Sequence, residues 1–221
     1  MNNRERMRAI MHYEDYDRMP VVSFGFWEET LAKWAEQGYI TKEQAEGYAR
    51  HGDNSPADRS LMAQLGFDFN WNATASGATF LRPGFPEEIL EKKPDGSIVK
   101  RDGSGLIVLV KPGVVSIPAE IGTSMTGREA WEEMYKPRLT FSEDRVPQAL
   151  LERLRAEDAT RDIPLALHCG SLYGNIRNMM GVEELSYLAA DDEDLYAEII
   201  DTVAELCFRC AEYTCKAGIH F

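Results

Sequence analysis

The chain has no apolar run approaching the roughly 18 residues that a membrane-spanning helix needs, so no helical span is expected and the protein is read as soluble. Its charged opening, "MNNRERMRAIMHYEDYDRMP", lacks the apolar stretch and small-residue site of a secretory signal; export is not expected, and the compartment is read as cytoplasmic. Basic residues are also in deficit, with 24 Lys and Arg against 37 Asp and Glu and a net charge of −13. Such a field repels polyphosphate backbones, which argues against nucleic acid as a partner while leaving room for a local basic pocket. Cysteine is confined to Cys169, Cys207, Cys210 and Cys215, three of them in "ELCFRCAEYTC" near the end of a helix-like segment. A zinc or iron–sulfur site usually takes about four ligands in loop geometry. The expectation is therefore free thiols that pack as small hydrophobes, the alternative being a metal site. There is no internal repeat and no low-complexity linker.

What is present is an ordinary globular composition, 44% hydrophobic and 28% charged over 221 residues, enough for one domain with a packed core. "NRERMRAIMHYEDYD" spaces Met7, Ile10 and Met11 as a helix does, and "DRMPVVSFGFW" then turns into an extended apolar run. Two helices follow. The first has Leu31, Trp34 and Ala35 on one face, and the second starts at a capping box of Thr41 and Gln44. "RSLMAQLGFDFNW" predicts a short helix stopped by Gly66 and then a strand. From about 73 to 118, Asp-Gly and Gly-Ser-Gly turns between β-branched runs predict an antiparallel hairpin excursion. Helices are expected over "GREAWEEMYKPRL" and "SEDRVPQALLERLRAEDATRD", and a strand over "IPLALHCG". Two more helices follow, separated by the acidic "DDED", whose charge suits a helix start.

Strands that alternate with helices predict a parallel α/β architecture, in which functional residues gather beyond the carboxyl ends of the strands. That rule draws attention to "LHCGSLYGNIRNMMG", which packs a histidine, a cysteine, hydroxyls, glycines and an arginine directly after a strand. His168 is a candidate general base or ligand, or else a hydrogen-bonded structural histidine. Arg177 is a candidate clamp for a carboxylate or phosphate, the alternative being an ion pair with the nearby acidic helix. Tyr173 and Ser171 offer hydroxyls for orienting a substrate, although Ser171 also suits a helix cap. Gly170 and Gly174 fit tight backbone geometry better than any nucleotide loop.

After the first strand, Trp27 and Glu28 offer an aromatic wall and a carboxylate for acid/base work, or simply a core tryptophan beside a helix-starting glutamate. Asp68, Asn70 and Asn72 alternate along the second strand and so share a face. Whether that face lines a site, or Phe67, Phe69 and Trp71 do, is left open by the sequence. His12, His51 and His220 are assigned no role.

"NRERMRAIMHYEDYDRMPVV", "LHCGSLYGNIRNMMGVEELSYLAADDEDLYAEIIDTV" and "CKAGIHF", in this order, resemble the uroporphyrinogen decarboxylase superfamily, which includes corrinoid-dependent methyltransferases that pass methyl groups to coenzyme M. The resemblance covers residues 2 to 27 and 163 to 221. It implies a (β/α)8 TIM-barrel-derived fold with a cleft at the carboxyl ends of its strands. Four barrel strands are placed at 20–26, 65–71, 163–169 and 218–221, so that residues 1–221 form a single domain resembling the N-terminal half of a barrel with a β-hairpin insertion. Half a barrel exposes strand edges and an inner face, which a second copy would cover, so a homodimer is expected.

The departures are specific. Uroporphyrinogen decarboxylases follow their first strand with an arginine-rich stretch for substrate carboxylates, where this chain reads "SFGFWEETLAKW"; Arg177 stands where they carry a functional tyrosine. The resemblance therefore implies a decarboxylase-like protein (a lyase homologue by family) that does not decarboxylate uroporphyrinogen. The parent enzyme would be a methyltransferase acting on a small-molecule substrate with a corrinoid protein. Its methyltransferase relatives hold zinc through a His-x-Cys pair and a later cysteine in a C-terminal half, whereas here His168 and Cys169 are adjacent and would point to opposite faces. The alternative is a catalytically silent half-barrel that self-associates or binds a small anion.

Overall fold

The computed structural model describes residues 1–71, 74–114 and 118–219. Mixed α/β secondary structure is organised into two compact units, each assembled from separate stretches of chain. One comprises Met1–Ala75, Glu152–Leu167 and Ile219–Phe221; the other comprises Ser76–Leu151 and His168–Gly218.

The first unit opens with α1 (Asn3–Met11), started by a capping box in which the Asn2 side chain accepts from Glu5 N and the Glu5 carboxylate accepts from Asn2 N. β1 is only Val22–Ser23, because Gly25 turns the chain at a φ of 96° that a strand residue does not adopt. Three helices follow. α2 is Glu28–Glu36, α3 is Lys42–His51 and α4 is Pro56–Leu65. The capping box at Thr41 and Gln44 forms as the sequence predicts. Ser55 caps α4, and Gly66 ends it in the left-handed conformation. Leu31, Ile40, Ala45, Tyr48 and Leu61 form the core between these helices, with Phe26, Trp34, Ala35 and Leu65 packed against it.

β2 (Phe69–Asn70) then lies parallel to β1, Val22 facing Phe69 and Ser23 facing Asn70. The strand expected over 65–71 is shorter because Leu65 still belongs to α4 and Gly66 to its cap. Asp68 fastens the entry to this pair. Its carboxylate accepts from the Arg18 guanidinium at 2.7 and 2.5 Å and from Val21 N at 2.7 Å. A short β3 (Thr74–Ser76) forms a second two-stranded sheet, described below.

The second unit holds an antiparallel four-stranded meander, β4 (Glu88–Lys92), β5 (Ile98–Arg101), β6 (Leu106–Val110) and β7 (Ala119–Thr123), in sequential order. The turn residues near 95 and 103 produce the hairpins the sequence predicts, and the sheet runs on to Thr123, past the expected limit of 118. Val99, Leu106 and Val108 are its buried hydrophobic side chains, Val99 on the face of its partner Leu109 and Leu106 and Val108 on the other.

The expected helix after Gly127 is broken into a one-turn α5 (Arg128–Ala130), a π-helical turn (Trp131–Tyr135) and a 3-10 turn (Lys136–Leu139), Pro137 opening the last. α6 spans Gln148–Glu157. β8 (Ala166–His168) pairs with β3. α7 (Leu172–Asp191) kinks at Gly181, and α8 (Glu193–Cys215) follows at once. Asp192 caps α8, accepting from Leu195 N at 2.9 Å, and Glu193 and Asp194 occupy its first turn, the use expected for "DDED". Leu195, Ile199, Val203, Leu206 and Cys210 recur every three or four residues of α8 and are all buried.

Among the described residues there is no closed barrel, and no helix is long and apolar enough to cross a membrane. The last expected strand, 218–221, lies partly outside the described residues, and Gly218 and Ile219 are not in a strand.

Candidate functional site

The parallel register of β1 and β2 brings the residues after both strands to one edge. Phe24 and Trp71 make ring contact there at 6.2 Å, and Trp71 stacks on Phe69 at 6.2 Å. Phe24, Trp27 and Trp71, the large aromatic residues that follow the two strands, are all exposed. Trp27 is the N-cap residue of α2 and makes no side-chain capping bond, and Glu28 is exposed in the first turn.

Behind this edge lies a polar network that sequence reasoning found only at Asn70. Asn70 is buried, and its amide donates to Asp53 Oδ1 at 2.9 Å and to Asp58 Oδ2 at 3.0 Å. The Tyr48 hydroxyl donates to Asp53 Oδ1 at 2.7 Å and accepts from Phe26 N at 2.9 Å. Burial first, and then the hydrogen bond to Asp53, push the Tyr48 hydroxyl up to about 12. It therefore stays protonated through the neutral range and is a fixed donor. Gly25 admits this arrangement, since a Cβ there would meet Asp53 Oδ1 at 2.9 Å and the Tyr48 hydroxyl at 3.0 Å. Asp53, which is exposed, is thus a carboxylate held in place by a phenol and an amide, suited to accept a hydrogen bond from a ligand at the strand ends.

Asp68 stands apart from this network. It joins Arg18 at the entry to β2, and that ion pair holds its carboxyl down at about 2. Asn72 lies outside the described residues. Burial does not divide this strand into one open and one closed face: Phe69 and Asn70 are both buried, Asp68 is half-buried and Trp71 is exposed.

The loop after β8 belongs to the second unit from His168 onward. His168, Ser171, Tyr173 and Arg177 are all exposed. The Ser171 hydroxyl accepts from Gly174 N at 2.9 Å and caps α7, as its alternative reading anticipated. Arg177 donates to its neighbour Asn178 at 2.8 and 3.2 Å and makes no ion pair among the described residues. Gly170 has a φ of 83° and runs so close to α8 that a Cβ would fall 2.4 Å from Cys207 Sγ, so its role is backbone geometry. The candidate residues are therefore divided, Trp27, Glu28, Asp68 and Asn70 in one unit and His168, Ser171, Tyr173 and Arg177 in the other.

All four cysteines are free thiols, Cys207 and Cys210 buried and Cys169 and Cys215 exposed. Burial raises both buried thiols, which keeps them protonated and unreactive. Among the described residues no three His, Cys, Asp or Glu side chains are arranged to hold a metal ion.

Compared with family models, with curated proteins and with solved structures, the chain matches none.

Proposed function

We propose that the chain carries the first strands of a (β/α)8 barrel of the uroporphyrinogen decarboxylase type, and that the complete barrel transfers methyl groups with a corrinoid protein as partner. The observation that supports this reading is the parallel register of β1 and β2. It sets Phe24, Trp27 and Trp71 beyond the carboxyl ends of the strands, where barrels bind substrate. Three helices joining the two strands, and an exposed polar loop after β8, add to it.

In this reading the aromatic edge receives the apolar part of the substrate, with Glu28 and Asp53 as its polar contacts and the buried Asn70 holding Asp53 in place. In the polar loop of the second unit, taken by itself, His168 is assigned the transfer of a proton, Tyr173 a hydroxyl for a ligand oxygen and Arg177 a cation for an anionic group. The zinc of the family's methyltransferases is not matched by these residues, since the adjacent His168 and Cys169 belong to no metal-binding group of three among the described residues. No step is assigned to a metal.

Methylcobalamin with coenzyme M as acceptor tests the proposal. The expected result is a saturable change in the visible spectrum of the corrin, weakened by Trp27→Ala and Trp71→Ala. A spectrum indifferent to the protein would refute it.

A second reading, self-association as a homodimer, is favoured by the exposure of Met11, Met19, Val21, Phe24 and Trp27 within one short stretch. Light scattering on a sizing column separates the outcomes. A mass near twice 25.0 kDa supports the dimer, and a folded species of 25.0 kDa rejects it.

A further inference from the structure

Within the first unit an open groove of about 1100 Å³ runs along α1. Its other walls are Phe69, Asn70 and Trp71 of the β2 region, the 158–166 segment and Ile219. The volume is a little above the roughly 300–1,000 Å³ of most small-molecule sites. Two stripes of α1 face it. Arg4, Arg8 and His12 recur at intervals of four and so share one helical face, and Met7 and Met11 form a parallel stripe beside them.

The charges in the groove do not cancel. Arg4 donates to Asp158 Oδ1 at 2.7 Å, and Arg161 lies 3.5 Å from the same carboxylate. Glu5 is committed to the cap of α1. Three arginines thus face two carboxylates, a local excess of one positive charge in a chain whose net charge is −13. Arg8 is the arginine left over: it is exposed, and among the described residues it has neither an ion pair nor a side-chain hydrogen bond. Phe69, Trp71 and Leu165 add apolar lining to the same groove, and methionines pack adaptably against ligands of varied shape.

We propose that this groove binds an amphipathic monocarboxylate, such as a fatty or arylalkanoic acid. The carboxylate sits on the Arg8 guanidinium as a bidentate pair, and the apolar body lies between the methionine stripe of α1 and Phe69, Trp71 and Leu165. One unpaired cation sets one negative charge, and the apolar walls select a ligand with a hydrocarbon body over a free anion. The inference does not rest on the methyltransferase reading, and His168, Tyr173 and Arg177 take no part in it.

Calorimetric titration of the full chain with sodium decanoate, below its aggregation concentration, is the test. Saturable binding of a single ligand is expected, weakened about tenfold or more by Arg8→Gln. Met11→Glu should weaken it similarly. This residue is 70% exposed, so the change spares the fold while giving Arg8 a carboxylate one turn away. A thermal melt of each variant controls for folding, and Met11→Glu carries the test should Arg8→Gln fail to fold. Absence of saturable binding, equal affinity in both variants and the parent chain, or decanol binding as tightly as decanoate would each overturn the proposal.

Discussion

The indole nitrogen of Trp131 donates to Oε1 of Glu198 at 3.0 Å, joining residues 67 positions apart. Glu198 also receives Lys136 at 2.6 Å and Arg128 at 3.0 Å, so one carboxylate ties α8 to the broken helix at 128–139. Lys136, then Trp131 and Arg128, hold its carboxyl down at about 2, below the usual 4.5. A carboxyl depressed on folding contributes stability that is whole above 4.5 and is lost as pH falls toward 2. Urea unfolding at stepped pH should therefore show stability declining across that window, and Glu198→Gln should flatten part of the decline. Trp131→Phe, which keeps most of the ring and removes the donor, should cost about 1–3 kcal/mol at neutral pH.

Arg145 is 2% exposed and spends its guanidinium on backbone carbonyls, those of Thr140, Ala78, Phe80 and Arg138 at 2.8, 2.7, 2.8 and 2.5 Å. A lysine cannot reach four acceptors from one nitrogen. Arg145→Lys should destabilise by about 3 kcal/mol in chemical denaturation, nearly as much as Arg145→Met, because the planar fork matters as well as the charge.

Asn70 separates two carboxylates that would otherwise face each other without a donor between them. Asn70→Asp replaces that donor with a third carboxylate, and like charges in one site raise one another's pKa. The variant should be less stable than the parent at pH 7 and should regain stability on mild acidification, the opposite sign to Glu198. A melting temperature that is flat or falling between pH 7 and 5 would contradict this.

The close pass of Gly170 over Cys207 predicts a coupled pair. Gly170→Ala should destabilise by more than the roughly 1 kcal/mol of an ordinary left-handed glycine, because its Cβ also strikes the sulfur. In a double-mutant cycle Cys207→Ala should recover the steric part and leave the conformational part. Thiol titration of the native parent chain should find Cys169 and Cys215 reactive, with Cys207 and Cys210 reacting only on unfolding.

Much of the local structure was legible because it depends on neighbours in sequence. The Thr41 capping box, the Gly66 stop, the Ser171 cap, the acidic start of α8 and the hairpin turns between residues 88 and 110 are each read from a few consecutive residues. The strand lengths were not legible, since an apolar run looks the same whether it continues or is turned by Gly25. Nor was the network at the strand edge. Tyr48, Asp53 and Asp58 come from two helices and the loop between them, and only the fold brings them to Asn70. The Arg4, Arg8 and His12 stripe was present in the sequence at an interval of four, yet its meaning depends on residues beyond 157 that complete the groove.

Neither compact unit is a continuous piece of chain, and this bears on how the protein can be made. Residues 1–75 belong with 152–167 and 219–221, while 76–151 belong with 168–218. During synthesis the amino-terminal segment must wait, with part of its apolar surface uncovered, until residues far downstream have left the ribosome. A premature stop anywhere between 76 and 151 would leave a fragment holding parts of two units and the whole of neither, a substrate for chaperones and proteases rather than a smaller folded protein.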